Sequence, residues 1–143
     1  MLFRSSLSHA DPAAELPMMA LLLNAELRIV SATGARMVAA RDFFRDALSV
    51  DLAEDEIVSE IAVRKLAPQT GWGFAEVARR SGDFALAAVA VTLTLAEGTI
   101  VQARIAMTGV APTARRVAEA EKLLIGRRLD GSVGDDVCKE LAG

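Results

Sequence analysis

Residues 84–107 read FALAAVAVTLTLAEGTIVQARIAM. Phe84–Leu95 becomes β-branched towards its end and stops at Glu97-Gly98, a turn pair. From Ile100 to Met107, the residues Ile100, Gln102, Arg104 and Ala106 alternate with Val101, Ala103, Ile105 and Met107. Two period-2 runs around a glycine turn predict an antiparallel hairpin. Downstream, Thr113 is placed to cap a helix from Ala114 to about Ile125, closed by Gly126. Ser132 is placed to cap a last helix, with Asp135 three residues on in capping-box spacing. A strand-rich centre followed by helices gives an α+β fold, a small antiparallel sheet with helices packed on it.

Upstream of the hairpin the signals are shorter. Asp11-Pro12-Ala13-Ala14-Glu15 reads as a helix start, with Asp at the N-cap, Pro at the first position and an acid in the first turn. That helix is predicted to reach about Asn24, with Leu16, Met19 and Leu23 on one face. Ala25–Ser31 alternates Leu27 and Ile29 against Glu26 and Arg28, Thr33-Gly34 is a turn, and Ala35–Ala39 is the return strand. Arg41–Leu48 reads as a short helix turning Phe43 and Phe44 inward. Glu56–Val63 is a strand with Ile57, Ser59, Ile61 and Val63 on one side. Pro68–Gly73 is a loop, and Phe74–Arg80 a strand or short helix.

The chain has 143 residues, about one domain's length, and 52% of them are hydrophobic. That content excludes intrinsic disorder. The formal net charge of −3 gives no basic balance for nucleic acid or anionic lipid, and 4% aromatics leave no base-stacking platform. Leu16–Leu23 and Phe84–Leu95 are both short of the ~20 residues that a membrane helix needs. The N-terminal ten residues make a poor signal peptide, so the expected location is the cytoplasm. Cys138 is the single cysteine and His9 the single histidine, which excludes an internal disulfide, Cys-cluster iron–sulfur sites and His-pair zinc motifs.

Phosphate loops, nucleophile elbows and metalloprotease helices are all missing from the sequence. Asp11 and Glu15 are explained by capping and the helix dipole. Arg79-Arg80 with Gly82-Asp83 reads as a solvated bend, and Arg115-Arg116 and Arg127-Arg128 as solvated helix charges. From the residues alone the chain is an α+β domain suited to interaction.

Four segments resemble one family. Ser6–Pro17 (SLSHADPAAELP) is similar to the second flavin-binding segment of the FAD subunit of the molybdenum hydroxylases. These subunits are the medium chains of carbon monoxide dehydrogenases and the flavin portion of xanthine dehydrogenases. Asp55–Ile61 resembles the strand that opens the family's C-terminal domain. Phe74–Leu86 (FAEVARRSGDFAL) resembles its Arg-Arg-x-Gly-Asp-Phe-Ala hallmark, and Ile105–Thr113 (IAMTGVAPT) its Gly-Gly-Val-Ala-Pro-Thr turn. The order is the family's own.

The resemblance implies residues 1–52 as a remnant of the FAD-binding domain (helix, hairpin, short helix), and residues 53–143 as the C-terminal α+β domain. It implies FAD as cofactor, with Ser6 beside the diphosphate, Glu15 contacting the ribityl or ring region, and Val58 packing on the isoalloxazine. The implied function passes electrons from molybdenum and iron–sulfur centres through FAD to an acceptor. The implied partners are a molybdenum-cofactor large subunit and a 2Fe–2S small subunit. The alternative is a truncated domain that binds no FAD and serves as an interaction or structural module. Arg4 and Ser5 stand where the family has two glycines, where side chains obstruct backbone approach to phosphate. The family's first flavin loop has no counterpart in the chain. Leu16, Met18, Met19 and Leu22 are therefore expected to be partly uncovered and to favour a homo-oligomer.

Overall fold

The computed structural model describes residues 3–80 and 82–142. Two helices open it, α1 (Phe3–His9) and α2 (Glu15–Leu22). The sequence signal at Asp11 marks a turn and not the helix start. Asp11 Oδ1 accepts the Ala13 N–H at 2.8 Å, and the Asp11 carbonyl accepts the Ala14 N–H at 3.0 Å. The aspartate thus closes a tight turn. α2 begins after it, with no side-chain cap.

β1 (Glu26–Ser31) and β2 (Gly34–Ala39) form the expected hairpin, with Leu27 opposite Val38. The predicted helix over Arg41–Leu48 holds for one turn only, α3 (Ala40–Phe43). The chain then extends into β3 (Phe44–Asp46), paired with β4 (Ser49–Val50). Phe43 is fully buried, and Phe44 meets it edge-to-face with ring centroids 5.3 Å apart. Phe44 thus sits on β3 opposite Val50, and its half-buried ring packs against the same core as Phe43.

β5 (Ile57–Ala62) pairs with β1, giving a three-stranded sheet of order β2-β1-β5. This strand begins past residue 52 yet hydrogen-bonds to the hairpin before it. A bulge at Ser59 shifts the register, so that Val58 lies opposite Ile29 and Ile61 opposite Leu27. The extra residue puts Val58 and Ile61 on the same inward face. The strict alternation read from the sequence placed them on opposite faces, and Ile57 accordingly ends up 65% exposed.

The second sheet is antiparallel throughout: β6 (Thr70–Val77), β7 (Ala87–Ala96), β8 (Thr99–Thr108) and β9 (Arg115–Arg116), in that order. The β7–β8 hairpin is the one read from residues 84–107. β6 starts inside the predicted Pro/Gly loop, because Gly71 and Gly73 pair in the ladder opposite Leu93 and Val91. β9 takes the first residues of the predicted Thr113-capped helix, and α4 (Ala118–Leu124) follows without a side-chain cap. α5 (Val133–Ala142) is led in by Asp130, whose Oδ1 accepts the Ser132 and Val133 N–H groups at 2.9 and 3.1 Å. Asp130, and not the Ser132–Asp135 pair, is therefore the lead-in group.

Two apolar cores result. The first spans both sheets: Met18, Leu21 and Leu22 of α2 pack with Leu27, Ile29, Phe43 and Val58, and with Ala88, Ala90 and Ala106 of the second sheet. Alanines on β7 and β8 let α2 lie close on the strands. Met18 and Leu22 are 0% and 2% exposed, against the expectation that both are partly uncovered. Leu16, Met19 and Leu23 are half-buried, on the other side of a helix that is apolar nearly all round. The second core lies under α4 and α5 and holds Ile100, Ala103, Ala120, Leu124, Val133 and Val137.

Candidate functional site

The segments singled out in the sequence meet at the junction of the two sheets. The turn at Asp11–Ala14 lies against the end of β8. Thr108 Oγ1 donates to the Pro12 carbonyl at 2.6 Å and reaches the Ala14 carbonyl at 3.3 Å, and the Gly109 N–H donates to Pro12 O at 3.0 Å. Gly109 has φ +80°, and a Cβ there would lie 2.2 Å from the Leu86 carbonyl oxygen. Only glycine permits both the conformation and the approach. Thus Ser6–Pro17, Phe74–Leu86 and Ile105–Thr113, far apart in sequence, adjoin in space.

Of the site residues, Ser6 lies in α1 and is buried, its carbonyl accepting the Ala10 N–H at 3.2 Å. Val58 is 6% exposed and packs inward with Leu27 and Ile29. Glu15 is the first residue of α2, half-buried, and its carboxylate has no polar partner among the described residues. α1 packs on both α2 and β5, so the three elements bearing these residues adjoin.

Arg4 and Ser5, at the positions of the family's glycine turn, are helical. Arg4 Nη1 donates to the Ser59 carbonyl at 2.6 Å and fastens α1 to the bulge of β5. Beside it an apolar cavity of about 160 Å³ is lined by Leu7, Leu16, Met19, Leu23, Ile61 and Val63, among others. Small-ligand pockets usually hold about 300–1,000 Å³. A helical Arg-Ser pair and a small apolar cavity do not by themselves cradle a flavin and its diphosphate. A larger depression of about 350 Å³, around Arg127, Arg128, Asp130 and Asp136, contains none of the motif residues.

Two charged clusters escaped the sequence reading. Arg36 on β2 donates Nε and Nη2 to Glu56 at 2.8 and 2.7 Å, and Nη1 to Asp51 at 2.7 Å. Arg45 adds a bond to Asp51 at 2.9 Å. The Arg36 guanidinium, helped by the Ala53 N–H, holds the Glu56 carboxyl down to about 2. In the second cluster Arg116, expected to be a solvated helix charge, is half-buried on β9. It grips Glu121 bidentately at 2.6 and 2.8 Å, and its Nη1 donates to Asn24 Oδ1 at 3.0 Å and Leu21 O at 3.3 Å. Burial pushes the Glu121 carboxyl up, but Arg116 and the Ile105 N–H outweigh it and leave the group below its ordinary value. Arg116 thereby ties the end of α2 to the second sheet. Spacing could not have paired residue 116 with residue 24.

The aromatic pair on β6 was also hidden. Trp72 is 77% and Phe74 45% exposed. They stand opposite Thr92 and Ala90, on the sheet face that α2 covers further along. Among the described residues no group of three or more His, Cys, Asp or Glu side chains is placed to hold a metal ion, and no helix is long and apolar enough to cross a membrane.

Comparison with known proteins agrees with this layout. The model of the CO dehydrogenase flavoprotein C-terminal domain matches residues 72–143, and that of the FAD binding domain in molybdopterin dehydrogenase matches residues 6–65. The nicotine 6-hydroxylase medium subunit of Paenarthrobacter nicotinovorans is 40% identical over 124 residues, 87% of this chain and 43% of that protein. The carbon monoxide dehydrogenase medium chain of Afipia carboxidovorans is 38% identical over 125 residues, 86% of this chain and 43% of that protein. In the solved carbon monoxide dehydrogenase of Hydrogenophaga pseudoflava, a chain 32% identical superimposes with a TM-score of 0.91, over 97% of this chain and 48% of that one. This chain spans about half the length of the relatives it matches. With both family models matched in order and the fold shared, the chain belongs to the family of FAD-binding medium subunits of the molybdenum hydroxylases.

Proposed function

We propose that this chain is part of a flavoprotein subunit that passes electrons from molybdenum and iron–sulfur centres through FAD to an acceptor. The observation that carries the reading is the junction where Pro12 accepts hydrogen bonds from Thr108 and Gly109, which joins the flavin-segment turn to the C-terminal sheet. The chain divides within residues 63–69, between its two sheets, since β5 belongs to the first. Glu15, half-buried and with no polar partner among the described residues, is the direct flavin contact among the three site residues, while Ser6 and Val58 support the elements around it. The rest of the flavin site comes from a further polypeptide segment. The partners are a large subunit bearing the molybdenum cofactor and a small 2Fe–2S subunit in the cytoplasm, as medium subunits of this family imply.

Isolation of the tagged full chain from its native cells, followed by quantification of molybdenum, iron and flavin, tests this. Co-purification of all three is expected. Recovery of the folded chain with none of them sinks the reading. A second reading, a module that binds no FAD, is favoured by one observation: Arg4 and Ser5 are helical where a phosphate turn is needed. Flavin-free chain in a complex that contains molybdenum would select it.

A further inference from the structure

β6 (Thr70–Val77) is the outer strand of the second sheet, with β7 on one side and no strand on the other. Its free side presents unpaired backbone N–H and C=O groups, which proteins usually blunt with charge or cover. Neither device is present at this edge among the described residues. Six of the eight residues are exposed, and Glu76 is the one charge within the strand. A side chain at Gly71 would meet nothing within 4 Å, so the backbone there lies open. Trp72 and Phe74, two residues apart, share one face of the strand and are 77% and 45% exposed. Charge gathers beyond the two ends and has one sign. Arg64 and Lys65 lie on the linker that leads into β6, and Arg79 and Arg80 follow it. All four are exposed, and none has an ionic partner among the described residues. Against these four cations residues 64–83 hold two acids, Glu76 and Asp83, so the segment is basic in a chain whose net charge is −3.

We propose that β6 is a docking edge for an extended, acidic segment of another polypeptide, which joins the four-stranded sheet as an additional strand. The backbone of that segment completes the ladder on the free side of β6. Its acids, at both ends, meet Arg64-Lys65 and Arg79-Arg80, and apolar side chains between them cover Trp72 and Phe74. Tryptophan is among the residue types that most often anchor such contacts. A second copy of this chain does not fit, because either orientation of its β6 sets a basic end against a basic end. A lipid headgroup meets the cations but leaves the backbone groups of the edge unpaired. Docking at β6 does not depend on flavin.

Trp72 is the single tryptophan of a chain without tyrosine, so its fluorescence reports on this edge alone. The test titrates the full chain with a synthetic peptide of alternating threonine and valine that carries two aspartates at each end. A saturable blue shift of the Trp72 emission is expected. Methylation of alternate peptide nitrogens removes the ladder donors, keeps the charges and is expected to abolish the shift. The variant R64E/K65E/R79E/R80E is expected to lose about tenfold or more in affinity for this peptide. The same variant is expected to gain affinity for the peptide with lysines in place of the aspartates, a reversal that loss of folding cannot mimic. Five results overturn the proposal: no shift with the peptide at about 1 mM, equal binding of the lysine-ended peptide by the parent chain, equal binding of the methylated peptide, a shift that appears on self-association without peptide, or a shift produced by phosphatidylserine vesicles and not by the peptide.

Discussion

Thr108 donates its hydroxyl to the carbonyl of Pro12 at 2.6 Å, across 96 residues of chain. Thr108 is fully buried, and the proline carbonyl it meets belongs to a turn that no helix or sheet ladder satisfies. The bond therefore fixes where the first unit sits on the second. Valine at 108 keeps the shape and removes the donor. Thr108→Val is expected to lower unfolding stability by about 0.5–1.5 kcal/mol, the net worth of one hydrogen bond, since the Gly109 N–H still meets the Pro12 carbonyl. Urea denaturation at neutral pH measures it, and a variant as stable as the parent would show that the Gly109 N–H satisfies Pro12 by itself.

Glycine at 109 meets a demand that glycine at 126 does not. Both have positive φ, +80° and +85°, but a Cβ at 109 would fall 2.2 Å from the Leu86 oxygen, while one at 126 meets nothing within 4 Å. Gly126→Ala is expected to cost about 1–2 kcal/mol, the left-handed penalty alone. Gly109→Ala adds a backbone clash to the same penalty and is expected to cost distinctly more. Thermal unfolding of the two variants side by side ranks them, and equal losses would place Leu86 away from Gly109 in solution.

The Arg36 cluster makes the fold sensitive to acid. Glu56 titrates at about 2 in the folded chain against an ordinary 4.5, because Arg36 and the Ala53 N–H favour its charged form. Asp51 is lowered in the same direction by Arg36 and then Arg45. A carboxyl depressed on folding contributes stability above its unfolded pKa and loses it as pH falls towards the folded one. That loss is expected from about pH 4.5 down to about 2. Arg36→Gln should lower the thermal midpoint at neutral pH and flatten its slope in that window. An Arg36→Gln curve parallel to the parent's would rule the cluster out as the acid-sensitive element.

Methionines separate the two sides of the first unit. Met18 is 0% and Met37 55% exposed. Met18→Ala opens a cavity in the core shared by both sheets and is expected to cost about 2–5 kcal/mol. Met37→Ala on the β2 edge is expected to stay within about 0.5 kcal/mol of the parent. Chemical denaturation distinguishes them, and a tolerated Met18→Ala would mean that α2 packs on the sheets by another face.

Short-range pattern accounts for the elements that local geometry can encode. Alternation around Glu97-Gly98 and Thr33-Gly34 specified both hairpins, because a strand's period and a tight turn are local properties. Four motifs in family order carried the family. Tertiary structure alone decided the partner of each element. Asp11 carries an N-cap signature, but its carbonyl and carboxylate close a turn that is docked by Thr108, a residue no window around 11 contains. Phe44 leaves the helix that its neighbours suggest and pairs with Val50 in the β3–β4 ladder. A single bulge at Ser59 moved Val58 and Ile61 to one face, which a strict period of two cannot foresee. The candidate site divides in the same way. Its segments were legible, yet the burial of Ser6 and Val58 and the Arg116 tie to Asn24 depend on contacts between residues far apart in the chain. Local sequence sets conformational preference, and the free energy that selects among preferences comes from packing that only the folded chain assembles.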